Sequence, residues 1–496
     1  MAHFLEAALK PWAAALAAAL FAPALLQRWQ GAACCEDAAT TTRRESAWQR
    51  LDELAPLDGV VDAVLRAYQL SLLQQLPHTP AEWQPAVIGF HAVKGALTLS
   101  CSEAAACGDA THAVRGVHTL IFHSNHNNFI DVRKPHSERE ADAQRACNAV
   151  AALSTLRTLY LFTHFGHFDA STAPYIAPAL TRLTQLAELT LLWGEKDLDL
   201  LARPLGLLTT LTRLHLNSGM GREGVCALAP GLTCLSRLAD LTLPRVTSDG
   251  VAALSHPLRT LTSLTALHLS REGIDSTDAA ELALGLRHLT QLAALDLACT
   301  FAASGAAAAL APALGQLTAL TRLDLRSNDI GADAAAALAP ALGRTSRLAD
   351  LHLAFNQLGA AGAAALAPAI ALLTALTLLH LNGNNVGADG AAALATALTR
   401  LSQLAHLSLS SNDVGSPGAA ALAPALGRLT ALTTLCVSNN NFSPDDMAHL
   451  APALARLPHL ESLFLTTHVR GHWRRDPNPA AFRAWLPATG WKAKIF

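Results

Sequence analysis

Leu320, Leu323, Leu325 and Asn328 are followed 28 residues later by Leu348, Leu351, Leu353 and Asn356, and after a further 28 by Leu376, Leu379, Leu381 and Asn384. The frame runs on through Leu404, Leu407, Leu409, Asn412 and Leu432, Leu435, Val437, Asn440, and closes at Leu460, Leu463, Leu465, His468. Backwards it loosens, with key leucines at Leu295, Leu267, Leu241, Leu214, Leu189 and Leu159 and a degenerate first copy around Val117, Leu120, Phe122 and Asn125. About thirteen copies can be counted, regular from about residue 289. A unit of this length cannot bury its own apolar face, so the copies must stack into an array in which each touches only its neighbours.

Each copy changes its hydrophobic period at the same place. Leu323 and Leu325 alternate with Arg322, Asp324 and Arg326, the period of two that belongs to a strand. In Ala334 to Leu342 the apolar Ala335, Leu338 and Leu342 stand three and four apart on one helical face, and Gly343 follows as a stop. The expected fold is therefore an α/β solenoid, a curved horseshoe with a parallel sheet on its concave face and helices on its convex face. The asparagines have a structural purpose, because an Asn amide can donate and accept where the chain leaves the strand and its backbone groups lose their ladder partners. His164, Gly194, Gly219, Val246, Glu272 and Thr300 stand at that place in the earlier copies, which should be less regular. Pro312, Pro340, Pro368, Pro424 and Pro452 recur inside the helical stretches. An interior proline costs a helix about 3 kcal/mol, which predicts a kink or a restarted helix at each.

Composition agrees with an array of one small unit. At 496 residues the chain exceeds the ~250–300 at which one core stops growing. Only 15% of residues are charged and 5% aromatic, against about 25% charged in ordinary domains. The formal net charge of -2 leaves no electrostatic footprint for nucleic acid or an anionic membrane surface, so neither is expected as a partner. Nine cysteines, including the adjacent Cys34 and Cys35, occupy no common repeat position, which argues against a disulfide framework and for a reducing, cytoplasmic setting. Cys299 and Cys436 are expected in strands, and Cys226 and Cys234 in a helical stretch. Pro11 to Leu26 is apolar but too short to span a bilayer, and Glu6 and the Gln27-Arg28-Trp29 sequence fit a secretory signal poorly.

The unit Leu-x-x-Leu-x-Leu-x-x-Asn, followed by Ile330-Gly331-Ala332-Asp333 and an Ala/Leu helix, resembles the ribonuclease-inhibitor-like class of leucine-rich repeat. That class is also seen in Ran GTPase-activating proteins and in the sensor regions of NOD-like receptors. The resemblance covers about three quarters of the chain and implies a platform that binds a folded protein on its concave face. It does not imply ribonuclease as that partner, because the pattern residues are the buried ones and the others choose the partner. The sequence holds no phosphate loop, no nucleophile elbow and no His-Glu-x-x-His, so a non-catalytic scaffold or regulator without cofactor or metal is expected. A Ran-like GTPase activator is the alternative, since that activity can rest on a few loop residues.

The column one residue after each key leucine reads Tyr160, Thr190, His215, Thr242, His268, Asp296, Asp324, His352, His380, Ser408, Cys436, Phe464. Tyr160, Phe162, Leu192 and Trp193 gather aromatic and apolar surface, either as a partner's anchor or as a patch covered by an N-terminal cap. Arg322, Asp324, Arg326, Asp350, His352 and His380 form a polar stripe for partner selection, with His215 and His268 earlier in the column. These histidines would make binding sensitive to pH between about 5 and 7. Adjacent strands lie ~4.8 Å apart, so only His352 and His380 are near enough to interact. Two runs, Cys101, Cys107, His112, His118 and His118, His123, His126, hold metal-ligand types without the tight spacing of a zinc site.

Residues 1–90 read as a helical N-terminal region or cap, 91–468 as the solenoid, and 469–496 as a C-terminal cap. Between Arg43 and Leu76 two short helices are expected, with a faint likeness to an F-box that would make the protein a ubiquitin-ligase substrate adaptor. The last segment carries Arg470, Arg474, Arg475, Arg483, Lys492 and Lys494 interleaved with Trp473, Phe482, Trp485 and Trp491. It reads as a closing cap, with a basic docking tail as the alternative.

Overall fold

The computed structural model describes residues 96–100, 119–123, 144, 147–148, 150–162, 173–192, 199–216, 224–244, 246–270, 273–301, 304–443, 446–465, 467–469, 472–474 and 494–495. The possible targeting run, the F-box-like segment, both metal-ligand runs apart from the backbone of His123, and most of the basic tail lie outside these residues. The chain divides into two compact units, Met1–His164 and Phe165–Phe496.

In the first unit three strands, β1 (Ala96–Ser100), β2 (Thr119–His123) and β3 (Thr158–Phe162), pair in parallel and in register. In the second unit strands and helices alternate from α1 (Ala173–Leu180) and β4 (Glu188–Leu192) through α2 (Asp199–Leu207), β5 (Arg213–Leu216), α3 (Gly224–Leu232), β6 (Asp240–Pro244), α4 (Ser248–Thr260), β7 (Ala266–Ser270) and α5 (Ser276–Leu286). The regular copies follow as β8 (Ala294–Asp296), α6 (Ser304–Leu314), β9 (Arg322–Asp324), α7 (Ala332–Leu342), β10 (Asp350–His352), α8 (Gly359–Ile370), β11 (Leu378–His380), α9 (Gly387–Leu398), β12 (His406–Ser408), α10 (Gly415–Leu426), β13 (Thr434–Cys436), α11 (Met447–Leu454) and β14 (Ser462–Phe464). β4 to β14 form one parallel sheet in sequence order, as the repeat requires. An antiparallel hairpin, β15 (Thr467–Val469) and β16 (His472–Arg474), comes next, and β17 (Lys494–Ile495) extends the sheet in parallel beside β14.

The register follows the leucines. Leu323, Leu351, Leu379, Leu407, Leu435 and Leu463 pair strand to strand, all but fully buried. Each such side chain contributes roughly 1.5–3 kcal/mol of burial. The helix side is closed by Leu338, Leu366, Leu394 and Leu422. Small residues let neighbouring helices approach: a Cβ on Gly390 would lie 3.1 Å from the Cα of Ala360, and one on Gly418 3.3 Å from that of Ala388. Helices still pack at roughly 8–10 Å while strands sit at ~4.8 Å, so the second unit curves with its strands on the inside.

The asparagines form the expected ladder. Asn412 Oδ1 accepts from the backbone N–H of Asn384 (2.9 Å), and its Nδ2 donates to the carbonyls of Leu381 (2.8 Å) and Leu409 (2.9 Å). Asn440 serves Asn412 in the same way, and Asn328 holds the N–H groups of Thr300 and Phe301. At the first regular copy Thr300 replaces the amide, its hydroxyl donating to the carbonyl of Leu269. A second ladder runs at the start of the strands, where hydroxyls of Thr212, Thr265, Thr321, Thr377 and Thr433 donate to the carbonyls of Ala187, Ala239, Ala293, Ala349 and Ala405. Thr and Ala alternate from copy to copy, so the hydrogen-bonded unit is a pair of repeats.

The prolines do not restart the helices. α7, α8 and α10 each run unbroken through Pro340, Pro368 and Pro424. Each proline sits near the helix end on the exposed side, and the carbonyl four residues earlier belongs to exposed Ala336, Ala364 or Ala420, where water replaces the lost donor. Cys299 is likewise not in a strand but exposed in the following turn, with φ 55. Among the described residues no helix is long and apolar enough to cross a membrane.

Candidate functional site

The alternation of the strands turns one side chain of each repeat into the leucine core and its neighbours onto the open face of the sheet. From β4 to β8 the polar groups of that face neutralise one another across adjacent strands. Glu188 and Arg213 lie 3.0 Å apart, His215 and Asp240 3.1 Å, and His268 and Asp296 3.6 Å. Nε2 of His215 faces Oδ2 of Asp240, while the other carboxylate oxygen, Oδ1, is buried with no hydrogen-bond partner. Burial pushes the Asp240 and Asp296 carboxyls up, but their histidine neighbours outweigh it and the net shift is downward. His268 is shifted up, chiefly by its contact with Asp296 and against its own burial.

From β9 onward the pairing changes. Asp324 is fully buried, and its carboxylate accepts from Arg326 Nη2 (2.6 Å) and the Arg326 backbone N–H (3.1 Å). Asp324 was expected to reach toward a partner; it lies on the open face but is covered there by Arg326, which it holds and which remains exposed. Asp350 is half-buried and accepts from the Thr377 hydroxyl at 3.3 Å. His352 and His380 meet edge to face with ring centroids 4.7 Å apart, as their adjacent strands predict. Burial pushes both histidines down; Asp324 opposes it at His352, and neighbouring Arg326 adds to it at both. Arg322 and His406 are exposed on the flanking strands. Among the described residues Arg322, His352, His380 and His406 form no ion pair.

Tyr160 is half-buried in the first unit, while the side chain of Phe162 and all of Trp193 lie outside the described residues. No group of three or more His, Cys, Asp or Glu is arranged to hold a metal among the described residues. The Cys436 thiol is pushed up by burial, which disfavours the reactive thiolate.

One residue was missed by the sequence reading. Phe355 follows β10 and is 60% exposed at φ 55. The fold demands this left-handed turn, and Cys299, Ser327, Gly383, Ser411 and Asn439 hold it in the other regular copies with φ between 55 and 69. Phe355 alone is bulky there. Its ring lies over Gly383, where a Cβ would come within 2.8 Å of Phe355 Cδ1. Reading that column instead of the strand column alone would have exposed it.

The same copy departs from the pattern once more. Asp329, Asn385, Asp413 and Asn441 are left-handed, but Gln357 at the equivalent place is not. The neighbouring Asn384 Oδ1, which should accept from this turn, is buried without a hydrogen-bond partner.

Four segments, residues 316–339, 348–367, 373–395 and 403–423, match the family described as Leucine Rich repeat. Together with the alternating strands and helices, this shows that the chain carries leucine-rich repeats. Among solved structures it is similar to an internalin from Listeria monocytogenes, at 20% identity and a TM-score of 0.42, over 68% of this chain and 81% of that one. No curated protein sequence matches the chain.

Proposed function

We propose that this protein is a non-catalytic interaction module of the ribonuclease-inhibitor-like class, which binds a folded partner protein on the open face of its sheet. The observation that carries the reading is the division of labour within each repeat. Leucine and asparagine recur at the same buried places, while the strand face varies from copy to copy through the half-buried Thr190, His215, His268 and His380 and the exposed Arg322 and Arg326, and so can encode one partner's surface. Full helices of 11 or 12 residues in the regular copies support the class. Free thiols at Cys234, Cys299 and Cys436 suit a reducing, cytoplasmic setting.

The test is affinity purification from the native cell with the wild type and with a variant carrying Arg326→Ala, His352→Ala and His380→Ala. A stoichiometric protein partner held by the wild type and lost by the variant supports the reading. Retention of every partner by the variant removes the strand face from it. Acceleration of GTP hydrolysis by substoichiometric protein would replace the scaffold with the GTPase-activating alternative.

A further inference from the structure

The helices α1 to α11 all run the same way, because between parallel strands each must carry the chain back to the level at which the next strand begins. Every helix end of the second unit therefore lies on one rim of the sheet and every helix start on the other. A helix favours a carboxylate at its start and a cation at its end. Repeated over parallel helices, that local preference sorts charge by rim. On the rim of helix ends stand Arg182, Arg237, Arg344, Arg400, Arg428 and Arg456, all exposed. Four of them, from Arg344 on, share one column of the 28-residue frame, and none of the six forms an ion pair among the described residues. Between helix ends and strand starts Glu461 is the one acid described. On the opposite rim, from the strand ends through the first helical turns, Asp249, Asp275, Asp329, Asp333, Asp389 and Asp413 are exposed. The one exposed cation described there is Arg326, which Asp324 already holds.

We propose that the arginine rim of one copy of this chain docks against the aspartate rim of a second copy, so that copies stack rim to rim. The formal net charge of -2 leaves no overall repulsion between two copies, and a balance near zero favours association. Both rims are built by the same repeats and share one pitch, so an arginine column and an acidic column that meet in one repeat stay matched along the edge. The six cations are all arginine, whose planar fork pairs with a carboxylate through two parallel hydrogen bonds. Arg344 lies along the preceding turn, its Cδ 3.6 Å from where a Cβ on Gly315 would stand. The contact joins two different edges, so a stack keeps one free rim at each end and does not close at a pair. It uses neither the open strand face nor Phe355, and stands apart from partner binding there.

Exposed ion pairs are individually weak and screened, so the association must be strongly salt-dependent, and sedimentation of the purified full chain reads it directly. At about 50 mM salt the average mass should rise with protein concentration to at least about twice that of one chain, and at about 500 mM salt it should return to a single chain. One variant reverses the basic rim with Arg344→Glu, Arg400→Glu and Arg428→Glu. Another reverses the acidic rim with Asp333→Lys and Asp389→Lys and neutralises it with Asp329→Asn and Asp413→Asn, asparagine being what Asn385 and Asn441 place in the same left-handed turn. Each variant alone should stay a single chain at low salt. Mixed, they should associate, because one carries two acidic rims and the other an added set of cations facing them, and that recovery shows both variants folded. A wild type that stays a single chain at low salt, or stops at a dimer, overturns the proposal. So does association that survives high salt or either variant, and so does a mixture that fails to associate.

Discussion

β4 to β8 and β9 to β13 are built on one frame, yet a histidine in the same column means opposite things in the two stretches. His268 meets Asp296 on the next strand and is favoured charged, whereas His352 meets His380 and is favoured neutral. For His268 the residue one repeat further along decides the matter, because in-register parallel strands bring equivalent columns together, whereas for His352 burial does. The first stretch uses its polar groups on itself. The second holds its scaffold with buried asparagines and leaves its face free to be read by another molecule.

The largest test of that contrast removes the scaffold device. Asn412→Ala would leave the N–H groups of Asn384 and Val386 without their acceptor and would remove one of the two amide donors at the carbonyls of Leu381 and Leu409, which keep Asn384 and Asn440, and should lower stability by about 2–3 kcal/mol in urea unfolding. Asn384→Ala should cost about 1 kcal/mol less, because its Oδ1 already accepts nothing. Thr300→Ala, at the boundary with the first stretch, removes one hydroxyl bond to Leu269 and should cost about 1 kcal/mol. Equal losses for Asn412→Ala and Asn384→Ala would show that the rung beside Gln357 is complete after all.

A second test concerns the exception inside the regular stretch. Phe355→Ser places a small polar residue in the left-handed turn, as Ser327 and Ser411 do in their copies, and should raise the stability measured by urea unfolding by up to about 1 kcal/mol. Gln357→Asn should add a few tenths of a kcal/mol, roughly, by admitting the left-handed turn of Asn385 and Asn441 and restoring the acceptor at Asn384. A loss of stability in Phe355→Ser would mean that the ring packs as core.

These cases mark where the sequence was informative. The strand register, the helix faces and the asparagine ladder follow from Leu and Asn recurring every 28 residues, because buried places admit few residue types and repeat them. The paired behaviour of His352 and His380 was legible from strand spacing. The covering of Asp324 was not, since whether a carboxylate on the open face meets solvent depends on Arg326 two residues along, on the same side of the strand. Phe355 escaped because its importance lies in the backbone angle of its column, which periodicity does not encode. The prolines misled because interior cost was applied to residues near a helix end, where the freed carbonyls already face water.

The smallest expected effect is the one that separates the two stretches by sign. His268 has a raised folded value, so its contact with Asp296 contributes stability that is fully present below the ordinary histidine value of about 6.5 and is lost as pH rises through the folded value. His352 has a lowered folded value, so its neutral form contributes stability present above about 6.5 and lost as pH falls through the folded value. His268→Gln should therefore lower the urea midpoint at pH 5.5 and leave it nearly unchanged at pH 8.0 relative to wild type. His352→Gln should raise it at pH 5.5 and leave it nearly unchanged at pH 8.0. Each difference should stay below about 1 kcal/mol, because the groups are partly exposed and screened. Shifts of the same sign in the two variants would mean that the strand on which a histidine sits does not decide its charge, and the contrast between the stretches would fail at its electrostatic root.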